Sequence, residues 1–165
     1  MAFKIKENLS LVATIAVILI TTIVGYYVIG LKKAPYPVSS MQHFTFKWGT
    51  AVELENTYAS ADGAYHYLDN RDSLIKKEVK LRANDMIFIH NKANELGFWK
   101  LPNVIGKPSL PTKSPTYELA FYYKEKQKKM TVYSGFDENP QLLDSAMQII
   151  QIVQQTIDQA EGRYH

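Results

Sequence analysis

The run from Leu9 to Leu31, LSLVATIAVILITTIVGYYVIGL, contains no charged side chain, and no other stretch restricts the fold as strongly. A helix of that length rises roughly 34 Å, enough to cross a ~30 Å hydrocarbon core. It lacks the polar stripe of a helix lying on a water-facing core. Its polar atoms are the hydroxyls of Ser10, Thr14, Thr21, Thr22, Tyr26 and Tyr27, and serine and threonine hydroxyls can bond back to carbonyls of their own helix. The run therefore predicts a single membrane-spanning helix.

A cleaved signal peptide is the competing reading. Its apolar region is about 7–15 residues long and ends at a small-x-small site, whereas this run is longer and leads into Lys32-Lys33-Ala34-Pro35. The expectation is a retained signal anchor. Lys4 and Lys6 before the run nearly balance Lys32 and Lys33 after it, so charge orients the helix only weakly. A short N-terminal tail commonly stays cytoplasmic while the larger domain is exported. That places the following domain across the membrane from the cytoplasm. Tyr26 and Tyr27, with Lys32 and Lys33 beyond them, form the expected interface set, because amphipathic rings and cations settle at headgroup level. Thr21-x-x-x-Gly25 is a small-x-x-x-small pair that either admits a second helix or faces lipid.

The sequence divides into a tail (1–8), the span (9–31), a linker (32–42) stiffened by Pro35 and Pro37, a domain (43–160) and a C-terminal tail (161–165) expected to fray. About 120 residues beyond the linker suffice for one domain with its own core. Twelve per cent aromatic residues argue against disorder. With 19 basic against 16 acidic side chains, the net charge of +3 is too balanced for a surface that neutralises phosphates. Nucleic acid is excluded as a partner on that ground. The absence of cysteine removes disulfides, thiolate-bound zinc, iron–sulfur clusters, a thiol nucleophile and an acylated N-terminal cysteine.

Within the domain, Phe44, Phe46, Trp48, Val52 and Leu54 alternate with His43, Thr45, Lys47, Glu53 and Glu55. That is period two with one apolar side, a strand packed on one face, with Gly49 as a candidate bulge. A second strand is expected over Tyr58–Leu68, although Asp62-Gly63 could equally be a hairpin turn. After Asp69–Asp72, Ile75, Val79 and Leu81 mark a third. Met86, Ile89, Ala93 and Leu96 then give a helical stripe, with Asn84 as N-cap and Gly97 as stop. Prolines 102, 108, 111 and 115 punctuate a long loop. Tyr117–Tyr123 and Met130–Val132 form a fourth and fifth strand about a Lys124–Gln127 turn. Asn139-Pro140 opens a last helix with Leu143, Ala146, Met147, Ile150, Val153 and Ile157 on one face. The fold class is α+β: after the transmembrane helix, a two-layer domain with a mostly antiparallel sheet of about five strands and two helices on one face.

Gly97-Phe98-Trp99-Lys100-Leu101-Pro102, the proline-rich loop, the tyrosine-rich hairpin closing on Val132-Tyr133-Ser134-Gly135, and Asn139-Pro140-x-x-Leu143 together resemble a group of small uncharacterised bacterial domains of envelope proteins and lipoproteins. The resemblance covers about residues 41–160. It implies an α+β fold and an envelope location, which with the expected orientation is a bacterial inner membrane with the domain on the periplasmic side, and it brings no catalytic residues. The chain departs from the lipoprotein members in lacking an acylatable cysteine.

No stretch discloses an activity. His43, His66, His90 and His165 show no paired ligand spacing, so no metal, cofactor or catalytic residue is assigned. A hydrolase built on His66 with Asp62, Asp69 or Ser60 lacks any supporting elbow motif. Lys124, Lys126, Lys128 and Lys129 crowd one hairpin. They are candidates for contact with an anionic membrane surface or a partner, or are simply edge lysines that discourage pairing. The expected function is that of a single-pass, membrane-anchored accessory or scaffolding subunit, with the lipid bilayer and other membrane protein subunits as partners. The alternative is a tethered module gripping a peptide or glycan with Tyr65, Tyr67, Tyr122, Tyr133 and the long loop.

Overall fold

Helix α1 (Leu9–Lys32) carries Ile15, Val17, Ile18, Leu19, Ile20, Ile23 and Val24 exposed. As expected, its hydroxyls turn inward: Thr14 Oγ1 donates to the Ser10 carbonyl at 2.9 Å and Thr22 Oγ1 to that of Ile18 at 2.7 Å. The computed structural model describes residues 9–32, 36–50, 54–108 and 114–164. Two compact units divide the chain, Met1–Pro35 and Tyr36–His165.

The membrane span is corrected. Among the described residues, no helix is long and apolar enough to cross a membrane. The described side chains of α1 are those of Ser10 and residues 12–26. The transmembrane part of the expected fold class, the signal-anchor and single-pass assignments and the inner-membrane localisation all fall with it. Of the interface set, the side chains of Tyr27, Lys32 and Lys33 lie outside the described residues, and Tyr26 is 79 % exposed. Thr21 spends its hydroxyl on the carbonyls of Val17 and Ile18, and among the described residues nothing beyond the helix's own backbone and chain neighbours lies within 4 Å of where a Gly25 Cβ would stand.

The second unit is α+β, with a sheet of seven strands rather than about five. These are β1 (Met41–Gly49), β2 (Asn56–Ala59), β3 (Ala64–Leu68), β4 (Leu74–Glu78), β5 (Val104–Ile105), β6 (Thr116–Tyr123) and β7 (Gln127–Tyr133), in the order β4-β3-β2-β1-β6-β7-β5. Every pairing is antiparallel except β5 with β7, which makes the sheet mixed. The two extra strands have local causes. Gly63, at φ 78°, and the Asp62 carboxylate, which accepts the Ala64 N–H at 3.0 Å, fold the expected second strand into the β2–β3 hairpin. The proline-rich loop contributes β5, too short to show any period in sequence. β1 ends at Gly49, Leu54 lies in no strand, and Val52 and Glu53 lie outside the described residues; the register slips between Met41 and His43 rather than at the glycine.

Alternation puts the core on one face. Phe46 lies opposite Tyr58 and Leu119, Phe44 opposite Phe121, and Leu119 opposite Met130. Helix α2 (Ala83–Glu95) buries Ile89 and Ala93 against that face, and helix α3 (Pro140–Glu161) buries Ala146, Ile149, Ile150, Val153, Ile157 and Ala160. The helices also touch each other. The opposite face carries His43, Thr45, Lys47, Thr57, Ala59, His66 and Tyr122, all half-buried or exposed.

Helix ends follow side-chain chemistry. Asn139 accepts the Leu142 N–H at 3.0 Å ahead of Pro140, and Gly97 leaves α2 with φ 76°. The start of α2 differs from expectation: Arg82, not Asn84, is the N-cap, because the Asp85 carboxylate reaches back to the Arg82 N–H at 2.8 Å. Of the expected linker, residues 33–35 lie outside the described residues and the rest is largely structured. Val38–Ser40 form a 3-10 turn, β1 already begins at Met41, and the Tyr36 ring stacks on Trp99 at 4.5 Å. The expected frayed tail is also held. Gly162–Tyr164 continue as a 3-10 turn, and Arg163 Nη2 reaches Asp85 at 2.6 Å.

Candidate functional site

Burial of Ile89 and Ala93 turns the adjacent ridge of α2 sideways. Phe88, Lys92 and Glu95 follow one another at four and three residues, one above the next on a helix. On α3 the same geometry aligns Gln148, Gln151, Ile152 and Gln155 beside the buried Ile149 and Val153. The two ridges and Leu96 enclose a groove of about 310 Å³. Phe88 is 48 % exposed, an aromatic ring left half in water, and Ile87 beside it is 43 % exposed. The glutamines are exposed, and Lys92 and Glu95 pair at 2.7 Å, leaving the rim polar and close to neutral. An apolar floor with a polar rim and an unburied aromatic anchor is how protein-docking patches are built.

A second concavity of about 360 Å³ lies where β5, β6 and β7 end, walled by Gly106, Lys107, Thr116, Tyr133, Phe136 and Glu138. Of its hydroxyls, that of Ser134 is used internally, donating to the Pro115 carbonyl at 2.7 Å. Residues 109–113 of the long loop lie outside the described residues.

The sequence candidates are dispersed. Lys128 turns to the helix side and donates to the Leu101 carbonyl and Asn103 Oδ1, both at 2.6 Å, and burial pulls its ammonium below the ordinary lysine range. Lys129, one residue on, points to the other face and pairs with Glu118 at 2.8 Å. Lys126 lies 4.3 Å from the centre of the Tyr36 ring, and Lys124 is exposed in the turn. Period two therefore splits what one sequence cluster suggested into separate contacts.

The tyrosines separate likewise. Tyr65 is in the core, Tyr67 faces Glu161, Tyr122 stacks on His43 at 4.4 Å on the far face, and Tyr133 lines the second concavity. Asp62 and Asp69 both accept backbone N–H groups in turns, and Ser60 Oγ accepts the Phe44 N–H at 2.8 Å. None of them addresses His66, which pairs with Thr57 and Lys76 across the sheet. His90 is buried and meets the Tyr36 carbonyl through Nε2 at 3.0 Å, inside a cluster with Trp99 and Tyr123. Among the described residues, no three His, Cys, Asp or Glu side chains gather as metal ligands.

No protein-family model matches this chain. No curated protein matches it either. The groove between α2 and α3 therefore rests on its own geometry. Its one sequence signal was Phe88, an aromatic residue off the Met86, Ile89, Ala93, Leu96 stripe. The glutamines facing it, Gln148, Gln151 and Gln155, lie at helical spacing but read in sequence as a solvated polar face.

Proposed function

We propose that the chain serves as a non-catalytic accessory or scaffolding subunit, docking a partner protein along the groove between α2 and α3. The observation that carries this reading is Phe88, half exposed above Leu96 and Ile152 with a glutamine-rich rim. Fully burying an aromatic side chain is worth roughly 1.5–3 kcal/mol, so a partner covering Phe88 gains a central anchor. Also in its favour, the carboxylates and the serine nearest His66 are occupied in turns and at the start of β1. The tyrosines of the alternative peptide- or glycan-gripping module lie on different faces, which favours docking along the groove over a grip by those rings.

A photo-crosslinking amino acid at position 88 of the full-length chain tests the reading. One discrete adduct with a second polypeptide is expected, diminished at least about tenfold by Ile152→Glu in the same chain. Adducts no more abundant than those from a probe at Asp72, in the β3–β4 turn, would remove the groove as a docking site.

A further inference from the structure

The sheet ends on one side at β4, and its hydrogen-bonding parity can be read from its neighbours. The Val79 N–H donates to the Gly63 carbonyl at 2.8 Å and the Asp69 N–H to the Ser73 carbonyl at 3.0 Å. Both pairs lie in the register that sets Tyr65 opposite Lys77 and Tyr67 opposite Ile75. Bonded and non-bonded pairs alternate along an antiparallel ladder. Residues 73, 75, 77 and 79 therefore bond inward to β3, and Leu74, Lys76 and Glu78 present their N–H and C=O groups outward. Among the described residues, no other strand pairs with β4. Leu74 is 52 % exposed, and Lys76 and Glu78 are exposed.

We propose that this edge pairs with the β4 edge of a second copy of the chain, antiparallel about a two-fold axis at Lys77. Parity allows outward residues to meet only outward residues, so neighbouring registers differ by a shift of two. With the axis at Lys76, Lys76 faces itself and Leu74 faces Glu78. With the axis at Lys77, each Lys76 faces the Glu78 of the other copy, twice over, exchanging for it the exposed Glu78–Lys80 pair. The two Lys77 meet across the axis on the helix side with their charges already matched by Glu161, and the backbone hydrogen bonds of Lys76 and Glu78 are completed. Opposite charges directly across a strand pair stabilise it and like charges oppose it. Charge therefore selects the second register. Edge lysines commonly deter pairing. Here Lys77 is turned to the helix side and bound to Glu161, and Lys76 has its complement two residues away in the same strand. The partner is a second copy rather than an arbitrary strand because β4 is complementary to itself.

Sedimentation velocity of the full-length chain over a wide concentration range, under one fixed solvent condition, reads the association. The wild type is expected to show a monomer–dimer equilibrium. Lys76→Glu, which sets two carboxylates opposite each other at both sites, and Glu78→Lys, which does the same with two ammonium groups, are each expected to weaken the dimer about tenfold or more. The double variant Lys76→Glu with Glu78→Lys is expected to return to within about threefold of wild type, because the pair is restored with its polarity reversed. Lys76→Pro removes an outward N–H without touching the β3 ladder and is expected to abolish dimers while leaving the far-ultraviolet circular dichroism unchanged. A wild type that stays monomeric throughout would overturn the proposal. So would single charge reversals without effect, or a double variant no better than either single one.

Discussion

The Tyr58 hydroxyl on β2 donates a 2.9 Å buried hydrogen bond to the Val79 carbonyl, just beyond β4. The sheet edge is thus tied to the core through a side chain as well as through its ladder. Tyr58→Phe leaves a buried carbonyl without that donor and is expected to cost about 1–2 kcal/mol. Urea unfolding measures it, and a midpoint equal to wild type contradicts the role.

Arg163 holds Asp85 at 2.6 Å, joining the C-terminal turn to the start of α2. The hydrogen bond from Arg163, followed by the Arg82 N–H, keeps the Asp85 carboxyl below its ordinary 3.8. A carboxyl depressed in the folded state stabilises the fold above its unfolded-state value. That stabilisation disappears as pH falls through the folded one. Arg163→Ala is therefore expected to destabilise at pH 7, by no more than about 1 kcal/mol for a partly exposed pair, and the difference should vanish well below pH 4. A difference independent of pH would show that the charge is irrelevant.

Gly97 and Gly106 both have positive φ, 76° and 84°. They differ in surroundings: a Cβ on Gly97 meets nothing within 4 Å, whereas one on Gly106 would stand 2.9 Å from Phe136 Cβ. Gly97→Ala should cost about 1–2 kcal/mol from the left-handed backbone alone. Gly106→Ala should cost measurably more, and thermal denaturation ranks the two. Equal losses would mean that the contact with Phe136 relaxes freely.

Lys128 and Lys124 belong to one lysine-rich hairpin and do different work. Lys128→Ala deprives the Leu101 carbonyl and Asn103 of a charged donor and is expected to cost about 1–3 kcal/mol. Lys124→Ala should fall within about 0.5 kcal/mol of wild type. Chemical denaturation separates them, and equal effects would contradict the contacts.

How far the sequence could be followed depended on the range of the signal. Alternation over Phe44–Trp48 and Tyr117–Tyr123, the stripe from Leu143 to Ile157 and the Asn139-Pro140 cap are local, and the fold has them where their periods place them. Whether Asp62-Gly63 interrupts a strand depends on Val79 packing over the turn, a contact between distant segments. The two residues of β5 are too few to carry a period. The lysine hairpin misled because neighbours in a strand face opposite ways. The groove was out of reach because it is made of two helix flanks that meet only after both stripes are buried. For the membrane span, the apolar run was long in sequence, but among the described residues no helix is long and apolar enough to cross a membrane.

The docking role is tested most directly by gentle extraction of the full-length chain from its native cells, followed by native electrophoresis and mass analysis of the band. The account predicts a complex containing a second polypeptide in fixed ratio, lost when Phe88 is replaced by lysine while circular dichroism stays unchanged. Recovery of the wild type without a second polypeptide, or a complex indifferent to that substitution, would contradict it.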